Sequence, residues 1–372
     1  MSKKKIVLIT QSGSGGVRRH VTDLIDGLDL AKFEVVLIYN AQFADHALTD
    51  WIAMHQDTVK VYNVPTMTRA IHLKQDMRAF WTLYKILKTE KPDIVHAHSS
   101  KAGIVGRLAA AATGVTDVYY TPHGYAFMSS EFSTPKKIIF AGIEGVFSRL
   151  FTRMTLPVSQ SEMDVAVKYH VDRPGKFHVV ENGIQSIDKD YRGWARSELQ
   201  AKDSDIVVGN VARLSHQKNP EQFIRVAAEV LKQNSNFKFI WVGDGPLKEE
   251  MATLLAGYDL GNRVVLLGNR DDAQYLMAGF DAYFVTSDFE GYSYALLEAA
   301  RVGVPVFGKK VNGVVDFAAE YSLATLYAED AENCEVAGII QSKMANRTTD
   351  EPTFDNHGYA GMMQEINGIY LD

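Results

Sequence analysis

Short apolar segments alternate with longer stretches of helical periodicity along almost the whole chain of 372 residues. Strands that are separated by helices cannot pair as hairpins, so they form parallel sheets whose faces are covered by the connecting helices. The alternation occurs twice, over about residues 5–180 and again from residue 206. The sequence therefore predicts an α/β fold with two doubly wound, Rossmann-like domains.

The strand and domain boundaries follow from the same pattern. The first series of predicted strands comprises Lys5–Thr10, Phe33–Tyr39, Val59–Tyr62, Asp93–His98, Val118–Thr121, Met154–Val158 and Phe177–Val180. The second series comprises Ile206–Val211, Lys238–Val242, Val264–Leu267, Ala282–Thr286 and Val304–Phe307. A polar segment separates the two series, which predicts domains at residues 1–185 and 186–355. No strand follows the last helical stretch, residues 356–372, so it is free to pack back on the first domain.

Composition and charge indicate the cellular compartment and the kind of partner. The single cysteine, Cys334, excludes an intramolecular disulfide and favours a reducing compartment. The apolar run Ile6–Ile9 after the basic start is too short for a signal-peptide core, and no segment has the ~20 apolar residues that span a bilayer. We therefore expect a cytoplasmic protein. The net charge is +5 over residues 1–185 and −11 over the rest, which fits either chance variation or an anionic partner of the first half, such as a phospholipid surface.

Ligands of open parallel sheets bind beyond the carboxyl ends of the strands. After the first strand, Gln11–Gly16 forms a glycine-rich loop that opens a helix, where free amides can approach an anion unless the loop is only a tight turn. Arg18 stands where a dinucleotide site would need its third glycine, which disfavours a nicotinamide-dependent dehydrogenase. Lys101, after the fourth strand, could meet a phosphate, although its loop could equally serve only to cap a helix.

Two glutamates follow the fourth strand of the second series. Glu290 lies directly after the strand and Glu298 lies in the next helix, among alanine and leucine residues. A carboxylate accepts hydrogen bonds from two neighbouring hydroxyls, as on a ribose or a hexose. Gly291 leaves room beside Glu290, and the amides of Tyr292 and Ser293 could bind hydroxyls or phosphate. A solvated helix glutamate is the alternative, which the apolar neighbours of Glu298 disfavour.

Arg213 and Lys218 follow the first strand of the second series and could together neutralise a diphosphate. Surface basic residues would look the same if this pair stood alone. A metal would need carboxylates beside the diphosphate, but the two Asp-x-Asp triplets, residues 188–190 and 203–205, lie in the segment between the domains. We therefore expect no metal ion and no cofactor, with cationic side chains in place of the metal.

Together these segments resemble the family-4 retaining glycosyltransferases of the GT-B fold, in which two Rossmann-like domains face each other across a cleft. The family's Gly-x-Gly-Pro motif has its counterpart in Gly243–Pro246, and its Glu-Gly followed by a second glutamate in Glu290 and Glu298. The glycine pair Gly15 and Gly16 and the His123-Gly124 dipeptide also match. The segments around His98 and His123 are similar to those of bacterial members that act on lipid-linked polysaccharide precursors.

The resemblance implies a role for each matching residue. The implied catalytic residues are Arg213 and Lys218 on the diphosphate, Glu290 on the donor sugar and His123 against that sugar near the reacting carbon. The implied donor-binding residues are Gly243, Gly245, Gly291, Tyr292, Ser293 and Glu298, of which Glu298 would hold the ribose. The implied acceptor-binding residues are Gly15, Gly16 and Lys101, and the first domain would bind the acceptor. Two departures from the family pattern occur: Asn219 stands for a glycine, and the dipeptide Tyr292-Ser293 stands for Phe-Gly or Phe-Pro.

The implied activity is retaining transfer of a hexose-type sugar from a nucleoside diphosphate sugar, with UDP-sugars preferred, to an acceptor hydroxyl. Bacterial capsule, exopolysaccharide or O-antigen assembly on a lipid-linked acceptor is the expected setting, and no nucleic-acid partner is expected. Two alternatives stay open: a sugar-nucleotide epimerase on the same fold, and a non-catalytic partner subunit. The segment Pro135–Arg153 mixes large apolar residues with four cations, which fits either a core helix or peripheral contact with an anionic membrane.

Overall fold

The structure is a computed structural model that describes residues 3–68, 72–129, 131–185, 190–346 and 357–372. The chain divides into two compact units, one formed by Met1–Asn182 with Tyr359–Asp372 and the other by Gly183–Gly358. Each unit is built on a six-stranded sheet in which all the pairings between strands are parallel.

The first unit alternates strands and helices from its start. Its elements in chain order are β1 Lys4–Thr10, α1 Gly15–Gly27, β2 Phe33–Tyr39, α2 His46–His55, β3 Val59–Asn63, α3 Leu73–Glu90, β4 Ile94–His98, α4 Ser100–Thr113, β5 Asp117–Thr121, α5 Thr134–Phe151, β6 Met154–Thr155 and α6 Gln160–Lys168. The strands lie in the order β3-β2-β1-β4-β5-β6. Because the order reverses between β1 and β4, the loops after these two strands flank a crevice at the carboxyl edge.

The second unit repeats this plan. Its elements are α7 Arg192–Glu198, β7 Ile206–Val211, α8 Pro220–Leu231, β8 Phe237–Val242, α9 Lys248–Ala256, β9 Val264–Gly268, α10 Ala273–Leu276, β10 Ala282–Val285, α11 Tyr294–Arg301, β11 Val306–Lys309, α12 Val314–Glu320, β12 Ala324–Tyr327 and α13 Asn333–Ala345. The strand order is β12-β11-β10-β7-β8-β9. The order reverses between β7 and β10, which places the loops after these two strands at the equivalent crevice.

The last helix, α14 His357–Leu371, packs on the first unit. Met362, Met363, Ile366 and Tyr370 are buried in the core that also contains residues of β1, β2 and α1. The Tyr370 hydroxyl lies 2.5 Å from His96 Nδ1, and the Tyr119 hydroxyl donates to the Ile369 carbonyl at 3.0 Å. The chain thus returns to its first sheet after completing the second. Residue 356, with which the predicted helical stretch begins, lies outside the described residues.

The core of the second unit is aromatic. Phe223 of α8 lies edge-to-face against Phe239 and Trp241 of β8, with ring centroids 5.6 and 5.3 Å apart. It also stacks on Phe284 of β10 at 5.7 Å. These contacts fix α8 on the central strands, and with it the loop between β7 and α8.

The edge of the first sheet differs from the prediction. The expected strand Phe177–Val180 is absent and only one bridge, between Thr155 and Phe177, is formed; β6 itself has two residues rather than five. The Val180 amide donates to the Pro157 carbonyl at 2.9 Å. Because proline has no amide hydrogen to donate, the pairing between the two segments cannot continue through residue 157.

Candidate active site

The loops after β7 and β10 are bound to each other at the carboxyl edge of the second sheet. The Asp288 amide donates to the Gln217 carbonyl at 2.8 Å, and the Thr286 hydroxyl donates to the Lys218 carbonyl at 2.8 Å. These bonds align the two loops side by side at the point where the strand order reverses. The side chains that sequence analysis assigned to different loops are therefore brought to one place.

Lys218 and Glu290 form an ion pair in this place. Lys218 Nζ lies 2.6 Å from Glu290 Oε1, and the Ser287 hydroxyl donates to the same oxygen at 2.6 Å. The Glu290 residue is 5% exposed, whereas the Lys218 side chain is 21% exposed. Burying a carboxylate is costly unless such charge-assisted bonds compensate for the lost contact with water. The pair is thus a cation that reaches solvent and a carboxylate that is fixed beneath it.

A second ion pair lies beside the first and was not foreseen from the sequence. Lys309, at the end of β11, is almost buried and its Nζ lies 2.8 Å from Asp288 Oδ1. The Asn219 amide group donates to the same oxygen at 3.3 Å. The only signal available beforehand was the position of Lys309 at the carboxyl end of a strand.

Asn219 replaces the glycine that the family often has after the lysine, and its backbone explains why asparagine is accepted. Its φ is 47° and its ψ is 59°, in the left-handed region that asparagine tolerates better than other non-glycine residues. Its side chain also accepts a hydrogen bond from the Gln222 amide at 3.1 Å and so caps α8. The departure therefore preserves the turn that carries Lys218.

Glu298 lies in the second turn of α11 and is 8% exposed. Burial raises the pKa of Tyr283, and the charges of Glu290 and Glu298 raise it further. The Tyr283 hydroxyl donates to the Val211 carbonyl at 3.2 Å. Both glutamates therefore lie near the hydroxyl of this β10 tyrosine, which reaches the end of β7.

Gly243 and Gly245 allow the loop after β8 to lie against the loop after β7. A Cβ at Gly243 would lie 2.1 Å from the Ala212 carbonyl oxygen, and one at Gly245 would lie 2.3 Å from that of Leu214. The Leu214 amide donates to the Asp244 carbonyl at 3.0 Å. The glycines thereby hold the backbone on either side of Arg213, whose side chain is exposed. We expect these glycines to serve donor binding by letting the loop after β8 lie close to the loop after β7.

Gly243→Ala is expected to lower the free energy of unfolding by at least about 2 kcal/mol, because the new Cβ overlaps a backbone oxygen and φ is +129°. Gly261→Ala is the matched control, since its φ is +54° and no atom lies within 4 Å of the added Cβ. We expect the control to cost about 1 kcal/mol. Urea unfolding measures both; equal losses would contradict the clash.

The segment from Gly291 to Ser293 leads into α11. A Cβ at Gly313 would lie 1.9 Å from the Gly291 carbonyl oxygen, so the two glycine backbones touch. The Tyr292 side chain is 5% exposed and its hydroxyl donates to Glu320. Ser293 is the N-cap of α11 and its side chain makes no capping bond. The first amides of a helix have no intrahelical acceptor, so this end is suited to oxygen-rich ligands.

In the first unit, α1 begins at Gly15, inside the glycine-rich segment Gln11–Gly16 that was predicted as a loop. Gly15 has a φ of +63°, and both Gly15 and Gly16 are exposed. The backbone at the start of the helix is therefore open to solvent, as a ligand contact requires.

His123 is held in a strained turn after β5. Its φ is +55°, and the amide of the following Gly124 donates to Glu162 Oε1. The other carboxylate oxygen, Oε2, accepts from the Val158 amide at 2.8 Å, and Ser159 caps the helix that carries Glu162. A non-glycine residue in this region persists only where its surroundings fix it. The Glu162 carboxylate supplies that fixation.

Two further histidines surround His123. His98, at the end of β4, places Nδ1 3.2 Å from His123 Nε2, and the ring centroid of His20 on α1 lies 4.6 Å from that of His123. Burial lowers the pKa of His20 to about 4 and holds those of His98 and His123 well below the ordinary value. The three rings are therefore neutral at pH 7. Sequence analysis missed His20, because no local pattern shows that the inner face of α1 meets β4.

Lys101 and the Asp-x-Asp triplets complete the placement of the predicted residues. Lys101 Nζ lies 2.6 Å from Asp76 Oδ1 of α3, so a phosphate there would share the lysine with that carboxylate. Asp205 lies at the amino end of β7, 2.6 Å from the Arg263 guanidinium, and Asp203 is exposed. Asp188 lies outside the described residues.

Within the described parts of the chain, every helix falls short of the length and apolarity that crossing a membrane would require.

The two units match two family models. Residues 14–186 match Glycosyltransferase Family 4, and residues 194–350 match Glycosyl transferases group 1. The chain is 32% identical over 306 residues to the Escherichia coli UDP-Gal:alpha-D-GlcNAc-diphosphoundecaprenol alpha-1,3-galactosyltransferase, covering 80% of this chain and 77% of that protein.

Solved structures share the fold over both units. HepE from Anabaena, in complex with UDP and glucose, has a TM-score of 0.74 at 22% identity and covers 98% of this chain and 95% of its own. WaaG, a glycosyltransferase involved in lipopolysaccharide biosynthesis, has a TM-score of 0.74 at 15% identity with the same coverage. The predicted GT-B fold is confirmed. The chain belongs to the glycosyltransferases that combine the family-4 and group-1 domains.

Proposed function

We propose that this protein transfers a hexose-type sugar from a UDP-sugar to a hydroxyl of a lipid-linked saccharide, with retention at the anomeric carbon. The observation that carries the proposal is the pair of Lys218 and buried Glu290 at the carboxyl edge of the second sheet. One member of the pair suits a phosphate and the other suits sugar hydroxyls, and Glu290 lies in the loop that leads into α11.

The diphosphate is a leaving group that gains negative charge as the bond to the sugar breaks. The Lys218 side chain is partly exposed, and Arg213 is exposed on the same loop. Cations that are fixed in place before the reaction stabilise such a developing charge without reorganisation. Glu290 binds the ammonium and is itself held by the Ser287 hydroxyl, so the position of the ammonium is set before the donor arrives.

Glu290 also has an oxygen to offer the sugar. Oε1 is engaged by Lys218 and Ser287, which leaves Oε2 as the atom that accepts from a sugar hydroxyl. Glu298 accepts from the ribose hydroxyls, in keeping with its closeness to Glu290 through Tyr283. His123 takes the place near the reacting carbon that the family resemblance assigns to it.

The acceptor is inferred from the relatives. The galactosyltransferase from Escherichia coli acts on a GlcNAc that is linked to diphosphoundecaprenol. The Schizosaccharomyces pombe phosphatidylinositol N-acetylglucosaminyltransferase gpi3 subunit, 23% identical over 96% of this chain and 77% of its own, is named for a lipid substrate as well. A saccharide on a lipid diphosphate is therefore the acceptor class that we propose.

The test is a product assay with a panel of UDP-sugars and synthetic GlcNAc-diphosphoundecaprenol as the probe acceptor. We expect UDP release that depends on the acceptor, and an α-glycoside from the α-linked donor by NMR. A β-glycoside would overturn retention. An epimerised donor without acceptor would favour an epimerase, and UDP binding without turnover of any donor would favour a non-catalytic subunit.

Activity is expected to persist in excess EDTA, because Arg213 and Lys218 provide the charge that a metal would otherwise supply. Asp205 of the second Asp-x-Asp triplet lies at the amino end of β7, opposite to the edge that carries Lys218, and is paired with Arg263. Initial rates with and without chelator are compared after dialysis. A loss that magnesium or manganese restores would contradict this prediction.

The outer surfaces of α3 and α5 support contact with an anionic membrane. These helices pack on either side of α4, and their exposed large apolar residues are Leu73, Met77, Trp81, Ile138, Ile139, Val146 and Leu150. The exposed cations on the same helices are Lys74, Arg78, Lys85, Lys88, Lys136 and Arg149. We call this set the basic apolar face.

The acidic residues of both helices are turned away from this face. Asp76 pairs with Lys101, Glu90 is bound by Lys5 and Lys60, and Glu144 is buried against Arg107. Mixed cationic and apolar side chains, with no exposed acid on either helix, complement a bilayer that contains anionic lipid. Arg153, the last of the four cations in the segment Pro135–Arg153, lies beyond the end of α5 and is paired with Asp117 at 2.7 Å.

We expect the protein to sediment with phosphatidylglycerol-containing vesicles and not with pure phosphatidylcholine. Each cation near such a surface contributes about 1 kcal/mol, and high salt should release the protein. Replacing Lys74, Arg78, Lys85 and Lys136 with glutamine should abolish sedimentation. The matched control replaces Lys202, Lys232, Lys248 and Lys343 of the second unit, which are also exposed. Equal binding by the two variants would contradict the basic apolar face.

A further inference from the structure

The three histidines at the carboxyl edge of the first sheet form a cluster of potential ligands. His20 comes from α1, His98 from the end of β4 and His123 from the turn after β5. Each offers one ring nitrogen, and these three atoms lie within 4.8 Å of one another. Three separate segments therefore converge on one point at which the strand order reverses.

The hydrogen bonds leave two of the rings incompletely satisfied. His20 Nδ1 lies 2.8 Å from Asn182 Oδ1, and since that oxygen can only accept, Nδ1 carries the hydrogen. His20 Nε2 then has a lone pair, and it is buried without a hydrogen-bond partner among the described residues. His98 Nε2 is likewise buried without a partner in the described part of the chain.

The neighbouring His96 shows what a purely structural histidine looks like in the same core. Its Nδ1 lies 2.5 Å from the Tyr370 hydroxyl and its Nε2 lies 2.9 Å from the Thr121 hydroxyl. Both ring nitrogens are thus used by the fold. Buried polar atoms are normally paired, so the unpaired nitrogens of His20 and His98 call for a ligand.

We propose that His20, His98 and His123 bind one borderline divalent transition-metal ion, such as Zn²⁺. Three imidazoles without a carboxylate suit Zn²⁺, Co²⁺ or Ni²⁺ and do not suit Mg²⁺ or Ca²⁺. The contact from the Nδ1–H of His20 to Asn182 is the second bond that orients metal-binding histidines. Three protein ligands leave the fourth position of the ion open to water or another small ligand.

The distances suit this ion after a small adjustment. Zinc–nitrogen bonds of about 2.0–2.1 Å in a tetrahedral site separate the nitrogens by roughly 3.4 Å. The widest separation within the cluster is at most 4.8 Å, so closure needs side-chain shifts on the order of 1 Å. Burial keeps all three rings neutral, as ligation requires.

A bound ion would prevent His123 from acting near the reacting carbon, where the proposed function places it. Provided that the proposed function is correct, Zn²⁺ acts as a reversible inhibitor and EDTA restores the rate. The metal site itself does not depend on the sugar chemistry, so binding is measured directly rather than through activity.

The experiment is a Co²⁺ titration of the untagged, chelator-treated full chain, followed by visible absorption. We expect bands of four-coordinate Co²⁺ that saturate at one equivalent and disappear when Zn²⁺ displaces the cobalt. His20→Gln and His98→Gln should each lower the affinity at least 10-fold. His46→Gln, an exposed histidine at the start of α2, is the matched control and should bind as the unmodified protein does.

A ligand swap separates coordination from folding. His20→Cys replaces one ligand with another, so we expect retained binding and a new thiolate-to-cobalt band in the near ultraviolet. Thermal unfolding without metal confirms that each variant is folded. Absence of saturable bands in the unmodified protein would overturn the site, and so would equal loss of affinity in the His46 variant. Saturable cobalt binding without sugar transfer would uphold the site and refute only the proposed function.

Discussion

Replacing Lys218 with alanine is expected to lower kcat about 100-fold or more, because its ammonium stabilises charge that develops mainly in the transition state. The lysine is positioned for this by Glu290 at 2.6 Å, and Glu290 is itself fixed by Ser287. The measurement is initial rate at saturating donor and acceptor. Lys232→Ala is the matched control, since Lys232 forms an exposed ion pair with Glu229 in the same unit.

The substitution has a second effect that must be separated from the first. Removing the lysine leaves Glu290, 5% exposed, without its ion pair, which destabilises the fold because a buried charge loses its partner. The double variant Lys218→Met with Glu290→Gln carries no charge at the pair, so we expect it to recover much of the lost stability and none of the lost turnover. A single Lys218→Ala variant that is folded and fully active at saturating donor would refute the role of the cation.

The order of strands and helices is largely predictable because its signals are local. Each central strand is a short apolar run between helices, and the periodicity of the helices is read without reference to the rest of the chain. The carboxyl-edge rule then selects the loops after β1, β4, β7 and β10 before their contacts are known. The reversal of strand order at β1 and β4 in one sheet, and at β7 and β10 in the other, gives these loops their common position.

Two segments at the sheet edges were not predictable in the same way. β12 has four residues and pairs only with β11 at an edge, so its sequence carries little apolar signal. Phe177–Val180 has the composition of a strand but lies beside Pro157, which cannot donate to a ladder. In both cases the outcome depends on the neighbouring strand, and the segment itself does not encode that neighbour.

For the candidate site, too, the sequence predicts what is local and misses the contacts between distant residues. Lys218 and Glu290 could each be selected from their loops, but their ion pair is a contact between positions 72 residues apart. Ser287, which fixes Glu290, and Asn182, which orients His20, have no sequence signature because serine and asparagine serve many structural roles. Predicting chemistry from a loop is therefore easier than predicting the groups that hold that chemistry in place.

Glu298→Ala is expected to weaken UDP binding by roughly 1.5–3 kcal/mol, or about 10- to 150-fold, which is the scale of hydrogen bonds to a charged group. The glutamate is 8% exposed in α11 and lies close enough to Glu290 for both to raise the pKa of Tyr283. Isothermal titration calorimetry with UDP measures the loss. Glu221→Ala, at an exposed position in α8, is the matched control and should leave the affinity unchanged.

The role of the ribose is isolated by changing the ligand together with the protein. If Glu298 accepts from the ribose hydroxyls, 2′-deoxy-UDP should bind the unmodified protein more weakly than UDP does. The Glu298→Ala variant should then discriminate little between the two ligands, because the partner of the missing hydroxyl is already gone. For each protein, the binding free energies of UDP and 2′-deoxy-UDP are subtracted. The difference between the two results is the coupling energy of the carboxylate and the hydroxyl. Equal discrimination by the variant and the unmodified protein would place the ribose elsewhere and leave Glu298 with a role only in the fold.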